Sequence, residues 1–586
     1  MSEFGCKVVR RRADDCGQLS EIRDPYLRNV FLSRGISSVR ELDLSFASLL
    51  HYQNLRDIDK ACTLLYEAVG KNAGIVVVGD YDVDGATSTA LAVRALRLFG
   101  ASSVDYFVPD RITMGYGLSA DIVDIIHNKW HPGLIITVDN GITSFEGVKR
   151  AQELGIRVLV TDHHLAVDDL PAADAIVNPN QKQCSFASKN LAGVGVIFYV
   201  MIALRSYLRE QGWFTQRHIP YPNLSHFLDL VAVGSIADVV KLDQNNRILI
   251  RKGLEQIRQG LCCQCFRSIL NMNRVNPAIL TENDVCFVIA PLLNAAGRID
   301  NMALGIECLL SDDPVQVDEL LQELCAVNQK RREMELQMRE SALSAIEGSN
   351  LDVSDMNSII MFDTSFHQGI IGLVASQIKE KYYRPAVVFA QAGEQELKGS
   401  ARSVCGLNIK DVLEQVARED PDLLLRFGGH AMAAGMSIRP DRLEEFKTVF
   451  RRVISSRISM HQLEKTCYSD GELPADHLTV AFAQILRSFG PWGNNFDYPV
   501  FDGLFMVQKL KYINNRHVRL TVTPVTPKVH HYEFNAMVFN LSQDCRNLDL
   551  WHRIVRLCYH LELNYWKGNC YLQLVVENLS LEDGES

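Results

Sequence analysis

Three aspartates at alternate positions, Asp80, Asp82 and Asp84, directly follow an apolar segment rich in β-branched residues. The segment, residues 74–79, predicts a buried β-strand, so the three carboxylates are expected just beyond its carboxyl end. Carboxylates held this close repel one another and raise each other's pKa unless a cation neutralises them. The spacing therefore indicates a cation-binding site.

More potential ligands follow later strands of the same predicted domain. The predicted elements alternate as strands 74–79, 104–108, 134–138 and 158–161 and helices 86–99, 120–130 and 144–154. This rhythm is typical of a parallel sheet with helices on its faces, in which the carboxyl ends of all strands lie along one ligand-binding edge. Asp139 and the run Asp162-His163-His164 each fall where a strand ends, so we expect them beside Asp80. Asp238 is expected to join them from a later segment.

The number of carboxylates indicates how many cations such a site would hold. The candidate metal ligands are Asp80, Asp82, Asp84, Asp139, His163 and Asp238. One divalent ion cannot neutralise five aspartates, whereas two ions that share a bridging carboxylate, with Asp139 as the best candidate, come close. Oxygen-rich ligation with one imidazole suits Mn²⁺ or Mg²⁺ better than zinc. Two such ions about 3.5 to 4 Å apart activate water for phosphoryl displacement, so the chemistry implied is phosphoester hydrolysis.

These motifs resemble those of the DHH phosphoesterase superfamily. The resemblance rests on the runs DYDVDG at 80–85, VDNG at 138–141, TDHH at 161–164 and ADVV at 237–240. A later run, FGGHAMAAG at 427–435, is similar to the glycine-rich motif of the companion DHHA1 domain. The runs NAAGR at 294–298, HQGIIG at 367–372 and GSARS at 399–403 narrow the resemblance to the RecJ family of exonucleases, over nearly the whole chain.

The resemblance implies roles for further residues. His164 is expected to orient the site as a catalytic residue, although a ligand role stays open. The expected substrate-binding residues are Arg111, Asn294, Arg298, His367, Ser400, Arg402, Gly428, Gly429, His430 and Trp566. In the final domain, Tyr565, Arg516, His517 and Lys567 are candidates beside Trp566 for stacking on bases or holding phosphates. One departure is Leu292, where the family usually carries an arginine, so one positive charge near the expected substrate path is missing and a phosphate contact there is expected to be weaker.

The activity implied is metal-dependent 5′-to-3′ hydrolysis of single-stranded DNA to 5′-mononucleotides, with two Mn²⁺ or Mg²⁺ ions as cofactors. The resemblance further implies roles in recombinational, base-excision and mismatch repair, beside partners such as a single-strand-binding protein and a helicase. One alternative is a DHH phosphoesterase of small substrates, such as oligoribonucleotides or cyclic dinucleotides, although such relatives typically lack a final barrel. Another is a non-catalytic DNA-binding protein, which the loss of metal ligands would mark.

The fold class expected is α/β. A parallel-sheet DHH domain is joined by a long helix to a smaller α/β DHHA1 domain, and an OB-like β-barrel follows. The helix is predicted from proline at its first turn, Pro314, and the barrel from period-two alternation after about residue 467. The expected domains are a helical lead-in at 1–50, the catalytic domain with a helical extension at 51–310, the connecting helix at 311–350, the DHHA1 substrate-binding domain at 351–460 and the single-strand-binding barrel at 467–586.

Composition sets the remaining bounds. The 586 residues are 47% hydrophobic and 22% charged, as in soluble proteins of several domains. The longest apolar run, 193–204, is too short to span a bilayer, so we expect no membrane contact and a cytoplasmic location. The fifteen scattered cysteines agree with reduced thiols. A net charge of −10 means that any DNA-binding surface must be local.

Two further motifs receive little weight. The run from Gly115 through Tyr116 and Gly117 to Ala120 mimics a dinucleotide fingerprint, but it follows the second predicted strand rather than the first. The cluster Cys262-Cys263-x-Cys265 lacks a second pair at zinc-finger spacing and is interpreted as ordinary thiols.

Overall fold

The computed structural model describes residues 6–11, 19–111, 113–166, 168–348, 356–514, 517–525, 532–539 and 550–582. The chain divides into two compact units. The parallel-sheet unit comprises residues 40–331 and 490–497, and the barrel unit comprises residues 1–39, 332–489 and 498–586.

The strands are, in chain order, β1 Lys7–Arg10, β2 Ile75–Val78, β3 Val104–Phe107, β4 Leu134–Val138, β5 Arg157–Thr161, β6 Ala175–Val177, β7 Ile359–Phe362, β8 Ala386–Gln391, β9 Leu397–Arg402, β10 Arg426–Gly429, β11 Ala433–Ile438, β12 Thr466–Ser469, β13 Phe501–Ile513, β14 His517–Pro524, β15 Phe534–Val538, β16 Ile554–Trp566 and β17 Asn569–Leu581. The α-helices are α1 Pro25–Leu32, α2 Ile58–Gly70, α3 Val83–Leu98, α4 Ala120–Trp130, α5 Phe145–Glu153, α6 Gly193–Glu210, α7 Trp213–Gln216, α8 Leu228–Ala237, α9 Gln244–Arg258, α10 Gln264–Met272, α11 Glu282–Asp284, α12 Ala290–Ile299, α13 Ala303–Leu310, α14 Pro314–Glu347, α15 Ile371–Tyr382, α16 Ile409–Glu419, α17 Leu443–Arg457 and α18 Val480–Ser488.

The parallel-sheet unit is built on a five-stranded sheet of order β3-β2-β4-β5-β6, in which every pair is parallel. Strands β2 and β4 are buried at every residue, as expected where helices cover both faces of a sheet. The four predicted strands are found. The fifth, β6, was not predicted, because its three residues are too few to show a pattern.

Among the described residues, the barrel unit contains two five-stranded sheets and a third, two-stranded sheet formed by β1 and β12. The first is five-stranded, of order β10-β11-β9-β8-β7, with only the β7–β8 pair parallel. The second is a closed barrel of order β13-β14-β15-β17-β16, with the long hairpin β16–β17 formed around the predicted turn. The expected fold class, α/β with a terminal barrel, is therefore confirmed.

The long helix begins and ends where the sequence predicted, at Pro314 and Glu347. The helix residues up to Arg331 belong to the parallel-sheet unit, and those from Arg332 belong to the barrel unit. Within the described residues, no helix is both long enough and apolar enough to cross a bilayer.

The first residues of the chain belong to the barrel unit through a strand that the sequence analysis missed. Strand β1 pairs in parallel with β12. Arg10 donates from Nε and Nη2 to the two carboxylate oxygens of the buried Asp502, at 2.9 and 2.8 Å. Arg34 donates in the same bidentate way to Asp470, at 2.8 and 2.9 Å. Buried carboxylates at the start of the barrel thus hold the N-terminal segment in place.

Removing Asp502 should destabilise the barrel unit, because it would leave Arg10 and Arg556 without their buried partner. We expect Asp502→Ala to lower the free energy of unfolding by about 1.5 to 3 kcal/mol, the range for lost hydrogen bonds to a charged group, because Arg10 is half-exposed and solvent replaces part of the contact. The control is Glu444→Ala, which removes an exposed ion pair with Lys447 and should cost less than about 0.5 kcal/mol. Urea denaturation with hydrogen exchange measured on strand Phe501–Ile513 reports both values, and equal losses would contradict this account.

Candidate metal centre

The aspartate segment after β2 is held by helix N-termini. Asp82 caps α3, and its carboxylate accepts a hydrogen bond from the Gly85 N–H at 3.0 Å. Asp84, in the first turn of α3, accepts from the N–H groups of Gly193 and Val194 at the start of α6, at 2.6 and 2.9 Å. Two helices therefore direct their positive ends at these carboxylates.

Asp139 follows β4 in a left-handed backbone conformation, with φ at 61°. The next residue, Asn140, donates from Nδ2 to the carbonyls of Val78 and Val138 at 3.1 and 2.9 Å, which ties the ends of β2 and β4 together. A Cβ on Gly193 would lie 2.5 Å from the Asp139 Cβ, so only glycine lets α6 approach this closely.

The predicted ligands lie together at one edge of the sheet. The Nε2 atom of His163 is 3.0 Å from Oδ1 of Asp139, 3.8 Å from Oδ2 of Asp238 and 3.9 Å from Oδ2 of Asp84. Three groups have candidate ligand atoms within 4.8 Å of one another: Asp80 with Asp82 and Asp139, Asp84 with His163 and Asp238, and Asp139 with His163 and His164. Because Asp139 approaches both Asp80 and His163, the arrangement has room for two cations with Asp139 near each.

The bare cluster is electrostatically unfavourable. Burial, followed by the negative charge of Asp82, raises the pKa of Asp84 to about 7. Burial and neighbouring carboxylates also hold the pKa values of Asp80, Asp139 and Asp238 well above the ordinary range. Oδ1 of Asp80 is buried without a hydrogen-bond partner. Oxygen atoms and imidazoles in this arrangement fit two divalent cations of the Mn²⁺ or Mg²⁺ kind.

Asp162, the first residue of the Asp-His-His run, has a supporting position. It is fully buried and accepts hydrogen bonds from the N–H groups of Ile142 and His163 at 2.9 and 2.7 Å. Its Oδ1 lies 2.7 Å from Nδ1 of His164. Burial alone would lower the pKa of His164, but this hydrogen bond and nearby carboxylates raise it to about 9. His164 is thus oriented by Asp162, and whether it also binds a cation stays a prediction.

Of the predicted substrate residues in this unit, Arg111 is exposed, with its guanidinium 4.8 Å from the centre of the Tyr81 ring. Asn294 accepts a hydrogen bond from the Val83 N–H at 3.2 Å, which supports the start of α3. Arg298 is half-buried on α12. Leu292, at the position of the missing arginine, is buried and packs within the unit.

The predicted substrate residues of the barrel unit lie on and beside strand β9. Arg402 donates from Nη1 to the Ser400 Oγ at 2.9 Å. On the neighbouring strands, Gly435 of β11 lies opposite Ser400, and Gly428 of β10 lies opposite Gly435. No atom lies within 4 Å of the position that a Cβ would take on either glycine. Gly428 and Gly429 are the last residues of β10 and do not form the turn. The turn follows them, and in it the His430 N–H donates a hydrogen bond to the Ala433 carbonyl at 2.8 Å. The result is an open face beside Arg402.

His367 lies outside these strands, just before α15. Its Nδ1 accepts a hydrogen bond from the Gly369 N–H at 3.2 Å.

The barrel carries a groove that the sequence analysis missed. It has a volume of about 470 Å³, and its lining includes Arg519, Asn535, Met537, Asn564, Tyr571 and Gln573. These residues lie on the four strands β14, β15, β16 and β17, so a local sequence pattern does not predict the groove. Tyr565 is exposed at the end of β16. The side chain of Trp566 and the whole of Arg516 lie outside the described residues.

Tyr116 was also missed as a site residue. Its hydroxyl lies 3.2 Å from the Asp139 carbonyl and 3.3 Å from Nδ1 of His164. The flanking glycines were the available signal, although they were compared with a different motif. The cysteine cluster holds no metal group within the described residues, and Cys265 contacts Cys308 with their sulfurs 3.1 Å apart.

Comparison with protein-family models gives three matches. The DHH family, N-terminal domain, matches residues 74–235, the DHHA1 domain matches 355–456, and the RecJ OB domain matches 469–578. The chain is 43% identical over 580 residues to the single-stranded-DNA-specific exonuclease RecJ of Escherichia coli strain K12, covering 98% of this chain and 99% of that protein.

The structure is similar to crystal structures of RecJ from Thermus thermophilus. The complex with Mn²⁺ gives a TM-score of 0.79 at 26% identity, covering 99% of this chain and 80% of that one. The complex with Mg²⁺ gives 0.74 at 25% identity, covering 99% and 78%. Both metals expected from the ligand types thus occur in proteins of this fold.

Replacing Asp139 should remove cation binding while the fold persists, because its side chain approaches both ligand groups. We expect wild-type protein to bind two Mn²⁺ ions and Asp139→Ala to bind at most one, with affinity reduced more than about tenfold. Titration calorimetry measures both values. Asp124→Ala, which removes an exposed ion pair with Arg150, is the control. Two unchanged Mn²⁺ sites in a folded Asp139→Ala protein would refute the assignment.

Proposed function

The chain belongs to the RecJ family of single-stranded-DNA-specific exonucleases, and from that premise we propose that it degrades single-stranded DNA from the 5′ end to 5′-mononucleotides. The observation that carries the proposal is the cluster of five aspartates with His163 at the carboxyl edge of the parallel sheet. Two divalent cations bound there would neutralise the phosphate and activate water for an in-line displacement.

The residues of the chain itself set up this chemistry. The helix N-termini of α3 and α6 fix Asp82 and Asp84 through backbone N–H groups. Asn140 fixes the loop that carries Asp139, and Asp162 fixes His164. Ligands held in this way need little rearrangement when cations and substrate bind, which lowers the cost of reaching the transition state.

The 5′ phosphate is proposed to bind at the open face beside β9. Arg402 supplies a guanidinium, which can bind a phosphate through two parallel hydrogen bonds. Ser400, in contact with Arg402, adds a hydroxyl donor. Gly428 and Gly435 leave the backbone open beside Ser400, so a phosphate can approach the strands without meeting side chains. The proposal also keeps the substrate-binding roles predicted from the sequence for Arg111, Arg298, His367 and His430.

The downstream part of the strand is proposed to bind the barrel groove. Arg519 is exposed and can pair with a phosphate, and Tyr571, 49% exposed, offers a ring for stacking. The amides of Asn535, Asn564 and Gln573 supply hydrogen-bonding groups. Contacts of this kind would add to the affinity for a long single strand, whereas a very short substrate would not reach them.

The setting of the activity is part of the proposal. We propose that the protein works in the cytoplasm in DNA repair and recombination, with partners such as a single-strand-binding protein and a helicase. The division into 1–50, 51–310, 311–350, 351–460 and 467–586 is kept as a proposal, and the family-model matches support its three larger domains.

Polarity and phosphate capture are tested together on strands labelled at either end. We expect wild-type protein with Mn²⁺ to shorten single strands from the 5′ end. Arg402→Ala should raise the KM for 5′-phosphorylated strands by roughly 10- to 100-fold, the effect of losing one charged hydrogen bond, with Mn²⁺ affinity unchanged. The control is Arg418→Ala, an exposed arginine in the same unit. Shortening from the 3′ end would overturn the proposal.

Point variants test the groove better than deletion of the barrel, since deletion would remove the buried carboxylates that Arg10 and Arg34 bind. Tyr571→Ala should raise the KM for long strands by roughly 5- to 100-fold and leave very short oligonucleotides unaffected. Arg519→Ala should also reduce the slope of the logarithm of the binding constant against the logarithm of the salt concentration by about 1, the effect of losing one phosphate contact. Arg439→Ala is the exposed control. Equal losses on long and short strands would mean that the groove does not bind the strand.

A further inference from the structure

The segment Gly115-Tyr116-Gly117 is a motif of the parallel-sheet unit to which the proposed function gives no role. Both glycines have left-handed backbones, with φ at 80° and 77°, which favours residues without a Cβ. A Cβ on Gly117 would lie 3.1 Å from the Ser144 Oγ, which accepts a hydrogen bond from the Leu118 N–H at 3.0 Å. The hydrogen bond from Leu118 to Ser144 therefore anchors the backbone that follows Tyr116.

This conformation places the Tyr116 hydroxyl between two residues of the metal centre. It lies 3.2 Å from the Asp139 carbonyl oxygen, to which it donates. It also lies 3.3 Å from Nδ1 of His164. Since that nitrogen is 2.7 Å from the Asp162 carboxylate, which can only accept, Nδ1 carries the proton and shares it between Asp162 and the tyrosine oxygen. A continuous chain of hydrogen bonds thus joins Asp162, His164, Tyr116 and Asp139.

The acceptor at the end of this chain is a strained residue. Asp139 has a left-handed backbone although it carries a side chain, and such a conformation persists only where surrounding contacts hold it. The Tyr116 O–H binds the carbonyl of that same residue, so it acts on the peptide that directs the Asp139 carboxylate. The ring contacts are edge-on, at 5.9 Å to His164 and 6.3 Å to Tyr81, so the hydroxyl makes the closest polar contacts.

We propose that Tyr116 is a positioning residue for the hydrolysis, acting through its hydroxyl on Asp139 and His164. The proposal rests on the proposed function. Loss of the hydroxyl would let the Asp139 peptide and the His164 ring shift, so that cations bind less tightly and in less productive geometry. Supporting groups around metal ligands commonly contribute 10- to 100-fold to affinity or activity.

The decisive variant is Tyr116→Phe, which removes the hydroxyl and keeps the ring. We expect kcat to fall roughly 10- to 100-fold, KM for single-stranded DNA to stay within about twofold, and the half-maximal Mn²⁺ concentration to rise about tenfold. The matched control is Tyr106→Phe. Tyr106 lies on the edge strand β3 of the same sheet and its hydroxyl donates to Glu307 on α13, so its removal should leave all three values unchanged.

Direct Mn²⁺ titration of the DNA-free proteins separates this proposal from the proposed function. Weaker Mn²⁺ binding in Tyr116→Phe, with thermal unfolding unchanged, supports the positioning role even if the substrate were not DNA. Gly117→Ala, which strains the loop and keeps the tyrosine, should show the same loss.

Two outcomes would overturn the proposal. The first is wild-type kcat and Mn²⁺ affinity in Tyr116→Phe. The second is a Tyr116→Phe protein with unchanged Mn²⁺ affinity beside a Tyr116→Leu protein with a raised KM that disappears on strands whose 5′-terminal nucleotide is abasic. That pattern would assign the exposed ring, rather than the hydroxyl, to stacking on the terminal base.

Discussion

Repulsion among buried carboxylates is the constraint on which the parallel-sheet unit depends. Asp80, Asp84 and Asp139 are almost fully buried, and their pKa values are raised because burial and neighbouring charges both oppose ionisation. Such a cluster costs free energy in the cation-free protein, and the surrounding structure has to keep it from dispersing. The protein does so with backbone groups: N–H groups at the start of α3 and α6 bind Asp82 and Asp84, which leaves the remaining oxygen lone pairs for cations.

Close backbone approach follows from the same constraint. Helix α6 can donate to Asp84 only because Gly193 permits contact with Asp139, where a Cβ would lie 2.5 Å away. Helix α8 packs against α3 at Gly234, where an added Cβ would lie 2.3 Å from the Thr87 Oγ1. On α12, a Cβ at Gly297 would lie 1.6 Å from the Tyr81 carbonyl. The glycines of this unit therefore set the distances among the elements that carry the aspartates, and substitution at them should disturb the cluster without removing a ligand.

Much of this arrangement follows from local sequence. The strands that precede Asp80, Asp139 and Asp162 are short apolar runs, and parallel pairing brings their carboxyl ends to one edge, so the proximity of the candidate ligands could be predicted from residue types and spacing. Helix Pro314–Glu347 was equally clear from its proline and its uninterrupted length. What escaped prediction depends on contacts between distant residues. Strand β1 exists because it pairs with β12 more than 450 residues later, and the barrel groove combines side chains from four strands. Tyr116 was overlooked because its role lies in a hydroxyl that meets a backbone carbonyl.

The two units surround their buried aspartates with different partners. In the barrel unit, Arg34 binds Asp470 and Arg10 binds Asp502, each through two hydrogen bonds. These ion pairs neutralise the two carboxylates and hold the N-terminal segment. Burial alone would raise the pKa of Asp502, but its hydrogen bonds to Arg10 and Ser469 lower it. At the edge of the parallel sheet, the ion-pair partner that the described residues offer the aspartates is His163, an imidazole that is itself a metal ligand type. Arg111 and His164 only partly offset the burial of Asp80 and the negative charge of Asp82, so the pKa of Asp80 stays well above its ordinary value. Divalent cations would supply the compensation that these side chains do not complete.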